Sequence, residues 1–95
     1  MLKLIKKPKA LDALAESNST FYSNISKGLI TPPIRLGTQS VAWPQHEIEA
    51  IVSARIAGKS SDEIKQLVTK LVADRAKLPS IINGFQSGNQ PVEAA

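Results

Sequence analysis

The sequence predicts a mainly α-helical fold, four helices interrupted once by a small β-hairpin. Three observations lead there. Apolar residues recur at spacings of three and four over most of the chain, strict alternation is confined to the region around residues 34–43, and Ser, Pro and Gly stand where helices should begin and end. With 95 residues, the chain can surround only one core.

Pro8 suits the first position of a helix running to about residue 16, with Leu11 and Leu14 on one face beside small alanines. Ser17 is placed as the N-cap of a second helix, its hydroxyl accepting from the backbone of Ser19 or Thr20, and Gly28 ends that helix as a C′ residue. Phe21 and Ile25, four apart, face inward, so Ser19, Ser23 and Ser26 face outward, flanked by Tyr22 and Lys27. Pro32 and Pro33 forbid helix. Ile34, Arg35 and Leu36 then alternate as a short strand, residues 37–40 turn, and Val41, Ala42 and Trp43 return, a two-stranded hairpin that needs Leu36, Val41 or Trp43 packed on the helices. Trp43 is read as core, anchoring the hairpin to the third helix.

Pro44 opens that third helix, with Glu47 and Glu49 read as acids favoured by its positive end and Ile48, Ile51, Val52 and Ile56 as its apolar stripe, ending near Gly58. Ser60 and Glu63 have capping-box spacing, and Ile64, Leu67, Val68, Leu71 and Val72 form the clearest amphipathic helix, stopped by Pro79. This stripe either covers the chain's own core, the preferred reading, or forms a dimer contact. After Asn83 the composition turns to Gly, Asn, Gln, Ser and Pro, which predicts a frayed tail. The expected organisation is residues 1–58 as one unit with the first three helices and hairpin, residues 59–82 as a C-terminal helix beside it, and residues 83–95 as a flexible tail.

Composition narrows the chemistry. The absence of cysteine excludes disulfides and thiolate metal sites, and the lone His46, in the first turn of a helix, is read as exposed or capping. No phosphate loop, catalytic acid pair or Ser-His-acid arrangement is present, so neither an enzyme nor a cofactor is expected. No apolar run approaches the roughly 20 residues that cross a bilayer, and the first seven residues lack the apolar length and cleavage site of a signal peptide. The formal charge of +4 resides in the first 43 residues, where six cations face two acids; from Pro44 onward six face six. Such an asymmetry points either to an anionic partner, nucleic acid before acidic lipid, or to a solubilising surface with a basic N-terminal tail.

A tight helix pair followed by a hairpin has a physical rationale in duplex recognition. The major groove, about 12 Å wide, admits one helix, and short polar side chains near its N-terminus reach base edges and phosphates. A hairpin beside it can lie along the neighbouring backbone. Lys3, Lys6, Lys7 and Lys9 read either as a solvated tail or as an arm clamping that backbone, and Tyr22 either as a half-buried packing residue or as a DNA contact.

Ser17-Asn18-Ser19-Thr20-Phe21-Tyr22, Ile25, Gly28, Pro33-Ile34-Arg35-Leu36-Gly37 and Ser40-Val41-Ala42-Trp43 together resemble the AlpA-type phage and prophage regulators. The resemblance runs without a gap from about Pro8 to Ile56. It implies a winged helix-turn-helix of the MerR-like and excisionase-like kind, with the hairpin as wing and the C-terminal amphipathic helix as an addition. Carried over by position, it puts Asn18, Ser19, Thr20, Tyr22, Ser23 and Lys27 on or beside the recognition helix and Arg35, Thr38 and Gln39 on the wing, with Lys6, Lys7 and Lys9 as the N-terminal arm. The implied function is sequence-specific DNA binding in transcriptional regulation of a prophage or mobile element. The alternative is an excisionase that bends attachment-site DNA and recruits integrase.

The implied partners are double-stranded DNA, a second copy as homodimer or head-to-tail assembly on the duplex, and integrase or RNA polymerase, with no membrane. The implied location is the bacterial cytoplasm, at the nucleoid. Three positions depart from the pattern. Glu16 stands where an apolar residue is usual, Thr31 replaces a proline, and Asn18 replaces a basic residue whose bidentate contact would supply roughly 1–3 kcal/mol of base discrimination. A reading of another class makes the chain an interaction module, whose fourth-helix stripe binds a partner protein and whose charge is incidental.

Overall fold

The computed structural model describes residues 2–76. In chain order its elements are β1 (Leu4–Ile5), α1 (Lys7–Leu14), α2 (Asn18–Ser26), β2 (Ile34–Arg35), β3 (Val41–Pro44), α3 (Gln45–Ile56) and α4 (Ser61–Arg75). The fold is mainly helical, with four helices and a small antiparallel sheet ordered β1-β3-β2. The expected stop at Pro79 and the expected tail after Asn83 lie outside the described residues.

Helix boundaries follow from backbone chemistry. Pro8 lies in the first turn of α1, where its missing N–H costs nothing. That helix ends earlier than the periodicity suggested because Ala15 turns left-handed at φ 55°, its N–H bonding to Asp12 O while Glu16 N–H bonds to Leu11 O. Gly28, at φ +80°, closes α2 in the same way, with its own N–H on Ile25 O and that of Leu29 on Asn24 O. Glycine adopts this conformation without strain; an alanine adopts it at a cost of about 1 kcal/mol. The capping box of α4 is complete: Ser60 Oγ accepts from Glu63 N–H at 3.2 Å, and Glu63 Oε1 accepts from Ser60 N–H at 2.9 Å.

The N-terminus departs from expectation. Instead of a tail or free arm, residues 4–5 form an edge strand, with Leu4 opposite Pro44 and Ile5 opposite Trp43, and Lys3 O accepts from Gln45 N–H at 2.7 Å. Burial of Ile5 drives this pairing, since β3 has a free edge once β2 occupies the other. The hairpin is therefore one side of a three-stranded sheet. Pro44 is both the last residue of β3 and the N-cap of α3, positions that need no ladder N–H from it.

The core joins Ile5, Ala10, Leu14, Phe21, Ile30, Trp43, Ile48, Ile51, Ile64 and Val68. Trp43 is fully buried, packs edge-on against Phe21 with centroids 4.9 Å apart, and donates its indole N–H to Thr31 O at 2.9 Å. The α4 stripe covers this core through Ile64 and Val68, with Leu71 and Val72 packed beside them. One apolar assignment fails: Ile56, at the last turn of α3, is 82 % exposed. Of the three residues that could pack the hairpin on the helices, Trp43 and Val41 do so, while Leu36 is exposed.

Glu47 lies in the first turn of α3, as expected of a helix-start acid, and it has a further role: it has no exposed area and is held by Arg75 at the far end of α4.

Candidate nucleic-acid interface

The entry to α2 is locally determined. Ser17 Oγ accepts from Thr20 N–H at 3.3 Å and donates to Thr20 Oγ1 at 3.0 Å, so the turn is closed by its own side chains. Phe21 and, in part, Ile25 face the core. The remaining face is left to solvent: Asn18, Ser19, Thr20, Tyr22, Ser23, Ser26 and Lys27 are all exposed. No acid lies on α2, and the nearest one before it, Glu16, is occupied. Its Oε2 accepts from Asn24 Nδ2 at 2.7 Å and pairs with Arg55 Nη1 at 2.8 Å, which fastens the α1–α2 turn to α3.

The predicted arm residues belong to a folded corner. Lys6 is the N-cap residue of α1, Lys7 and Lys9 lie in its first turn, and Lys6 and Lys9 are exposed. The Lys7 ammonium sits 5.3 Å from the centre of the Tyr22 ring, bringing the start of α1 against the exposed face of α2. Tyr22 itself is 44 % exposed and leans edge-on against Phe21. The two readings of Tyr22 are thus compatible, with one ring edge packed and the hydroxyl end free.

Arg35, Thr38 and Gln39 are exposed on the β2–β3 hairpin, whose register pairs Ile34 with Ala42 and Arg35 with Val41. Leu36 N–H to Ser40 O, at 2.8 Å, closes the loop. The hairpin connects to α2 through Phe21 and Trp43. The structure therefore brings Lys7 directly to α2, and links the β2–β3 hairpin to that helix through the Phe21–Trp43 contact in the core.

Sequence reasoning missed Asn24, Arg55, Glu47 and Arg75, whose side chains hold these elements in place. Arg75 Nε donates to Glu47 Oε2 at 2.8 Å, and its Nη2 donates both to Glu47 Oε1 at 2.6 Å and to Pro32 O at 2.8 Å. The pairs are distant in sequence and follow no helical spacing, so no local pattern announces them. His46 is half-buried in the first turn of α3. Among the described residues, no helix is long and apolar enough to cross a membrane, and no group of three or more His, Cys, Asp or Glu is placed to hold a metal ion.

An uncharacterized protein, ORF88, of Enterobacteria phage P4 is 35 % identical to the chain over 57 residues. The match covers 60 % of this chain and 65 % of the phage protein, so the chain spans less than two-thirds of that relative's length. No protein family matches the chain, and no solved structure matches it significantly.

Proposed function

We propose that the chain is a sequence-specific duplex-DNA-binding regulator of prophage or mobile-element type, in which α2 enters the major groove and the β2–β3 hairpin serves as the wing of a winged helix-turn-helix. The observation that carries this reading is the outward face of α2. It is acid-free and built from short hydrogen-bonding side chains, with Lys7 against one flank and Lys27 at its end. Such a face suits a groove whose edges present donors and acceptors and whose walls are phosphates. The resemblance to AlpA-type regulators and the phage origin of a relative support the mobile-element setting, and with it a bacterial cytoplasm. Burial of Ile64 and Val68 commits much of the α4 stripe to the chain's own core, which weakens the interaction-module alternative.

Selection of bound duplexes from a random pool tests the proposal. Enrichment of a defined sequence is expected. Ser19→Ala and Ser23→Ala should change which bases are preferred, whereas Lys27→Ala and Arg35→Ala should weaken binding to all sequences alike. Ser23→Glu should abolish specific binding, since a carboxylate in the groove faces phosphate repulsion; unchanged affinity would remove α2 from the interface. Where the selected sites occur then separates two uses of one fold: a promoter operator marks a regulator, and repeats beside an integrase attachment core mark an excisionase.

A further inference from the structure

We propose that Arg75, on the helix beyond the helix-turn-helix region, is a positioning residue for DNA binding, because its bond to Pro32 O sets the direction in which the hairpin presents Arg35. The inference rests on the DNA-binding reading above and adds to it a role for α4.

The segment leading into β2 has an unusual weakness. Pro32 and Pro33 carry no backbone N–H, so the carbonyls are the main-chain groups by which this stretch can be tied down. Two successive carbonyls are in fact held by distant side chains. Thr31 O accepts from the Trp43 indole at 2.9 Å, and Pro32 O accepts from Arg75 Nη2 at 2.8 Å.

Beyond them, β2 is only two residues long and pairs with β3 at two positions, Ile34 with Ala42 and Arg35 with Val41. Such a ladder is marginal alone, and its orientation is inherited from its root. Arg35 follows Pro32 by three residues and is exposed.

Arg75 is itself fixed. Glu47, without exposed area in the first turn of α3, takes the guanidinium in a two-bond fork, and the Nη2 group is left directed at Pro32. The fork explains why arginine stands here: one planar group reaches both a carboxylate and a carbonyl 28 and 43 residues away in sequence. Stabilising a buried carboxylate does not by itself require the third bond.

The test must separate positioning from stability. In Glu47→Met with Arg75→Met both charges leave together, an exchange that buried pairs often tolerate, while the donor to Pro32 O is lost and net charge is unchanged. Affinity for a selected duplex is measured below the melting temperature, with circular dichroism giving the folded fraction. The double variant should bind roughly tenfold more weakly, the same loss that is expected of Arg35→Ala for one charge-assisted phosphate contact. Adding Arg35→Ala to it should cause no further loss, because the misdirected wing has already forfeited that contact.

Wild-type affinity in the folded double variant, or a full additional tenfold loss on adding Arg35→Ala, overturns the proposal. If the double variant does not fold, Arg75→Lys replaces it: it keeps a cation beside Glu47 without the second guanidinium arm, and the same outcomes decide. Absence of duplex binding by the unmutated chain overturns the DNA-binding reading instead, and the tether's role with it.

Discussion

The salt dependence of duplex binding can be worked from the placement of charge. The proposed interface presents five cations, Lys6, Lys7 and Lys9 at the start of α1, Lys27 after α2 and Arg35 on the hairpin. Each phosphate neutralised contributes about −0.9 to the slope of log K against log salt, so full engagement gives roughly −4.5, and a fourfold rise in salt weakens binding by roughly 500-fold. Replacing Lys6 and Lys9 by alanine should bring the slope to about −2.7. The control removes equal charge elsewhere. Lys59 and Lys70 are exposed, line the α3–α4 groove and are not among the proposed interface residues, and their joint replacement should leave the slope unchanged. Fluorescence anisotropy over a salt series reads both. A flat wild-type dependence refutes DNA binding through phosphates, and an equal drop for Lys59 and Lys70 refutes the assignment of this face.

Three further outcomes concern the scaffold. Trp43→Phe preserves most of the buried ring but leaves Thr31 O without its donor, so thermal unfolding should show a loss of about 1–3 kcal/mol; an unchanged melting temperature would mean that the indole bond contributes nothing net. Ile51→Ala should cost about 2–5 kcal/mol in chemical denaturation, whereas Ile56→Lys should stay within about 0.5 kcal/mol, a contrast that the sequence stripe alone would not give. The Glu63 carboxyl is held below the usual range by the backbone N–H of Ser60, then by the Ser60 hydroxyl and by Lys59. A lowered folded-state value means that this stabilisation is present above the unfolded-state value and lost as pH falls through the folded one. The stability gap between wild type and Glu63→Gln should therefore be present at neutral pH and close in acid, as pH falls past the ordinary glutamate value and through the lowered folded one.

The legible parts of this fold are those governed by neighbours in sequence. Ser17, Gly28 and Ser60 with Glu63 each act within a few residues, so caps and helix ends could be read directly. Phe21 with Ile25 and Ile64 with Val68 follow the helical period, which gave the inward faces of α2 and α4. What could not be read depends on partners far away. Two residues, Leu4 and Ile5, are too few to show a strand period, and they become a strand only because β3 has an open edge beside a site that buries Ile5.

Ile56 continues the α3 stripe by spacing, yet that helix outlasts the core it packs on. Glu47 was readable as a helix-start acid, but its burial was not, because Arg75, its partner, stands 28 residues away. Among the candidate interface residues, periodicity identified the exposed face of α2, but the closeness of Lys7 to Tyr22 required the fold.

These unreadable contacts share a cause. In this chain neither α2 nor the hairpin buries a broad apolar surface. Phe21 is the fully buried side chain of α2, and the hairpin buries Ala42, Trp43 and Pro44, of which only Trp43 is large. Hydrophobic burial fixes distance better than direction, since it is proportional to area and indifferent to angle. Directional polar bonds supply what the thin core does not: Glu16 ties the α1–α2 turn to Arg55, Trp43 holds Thr31 O, and Arg75 holds Pro32 O. Glu16, at a position where the resembling regulators are usually apolar, fits this logic. Its carboxylate reaches Asn24 on α2 and Arg55 on α3 together, which an aliphatic side chain could not do. Elements held in place in the free chain carry less ordering cost into any binding event, and these bonds let so small a core keep α2 and the β2–β3 hairpin in a fixed relation.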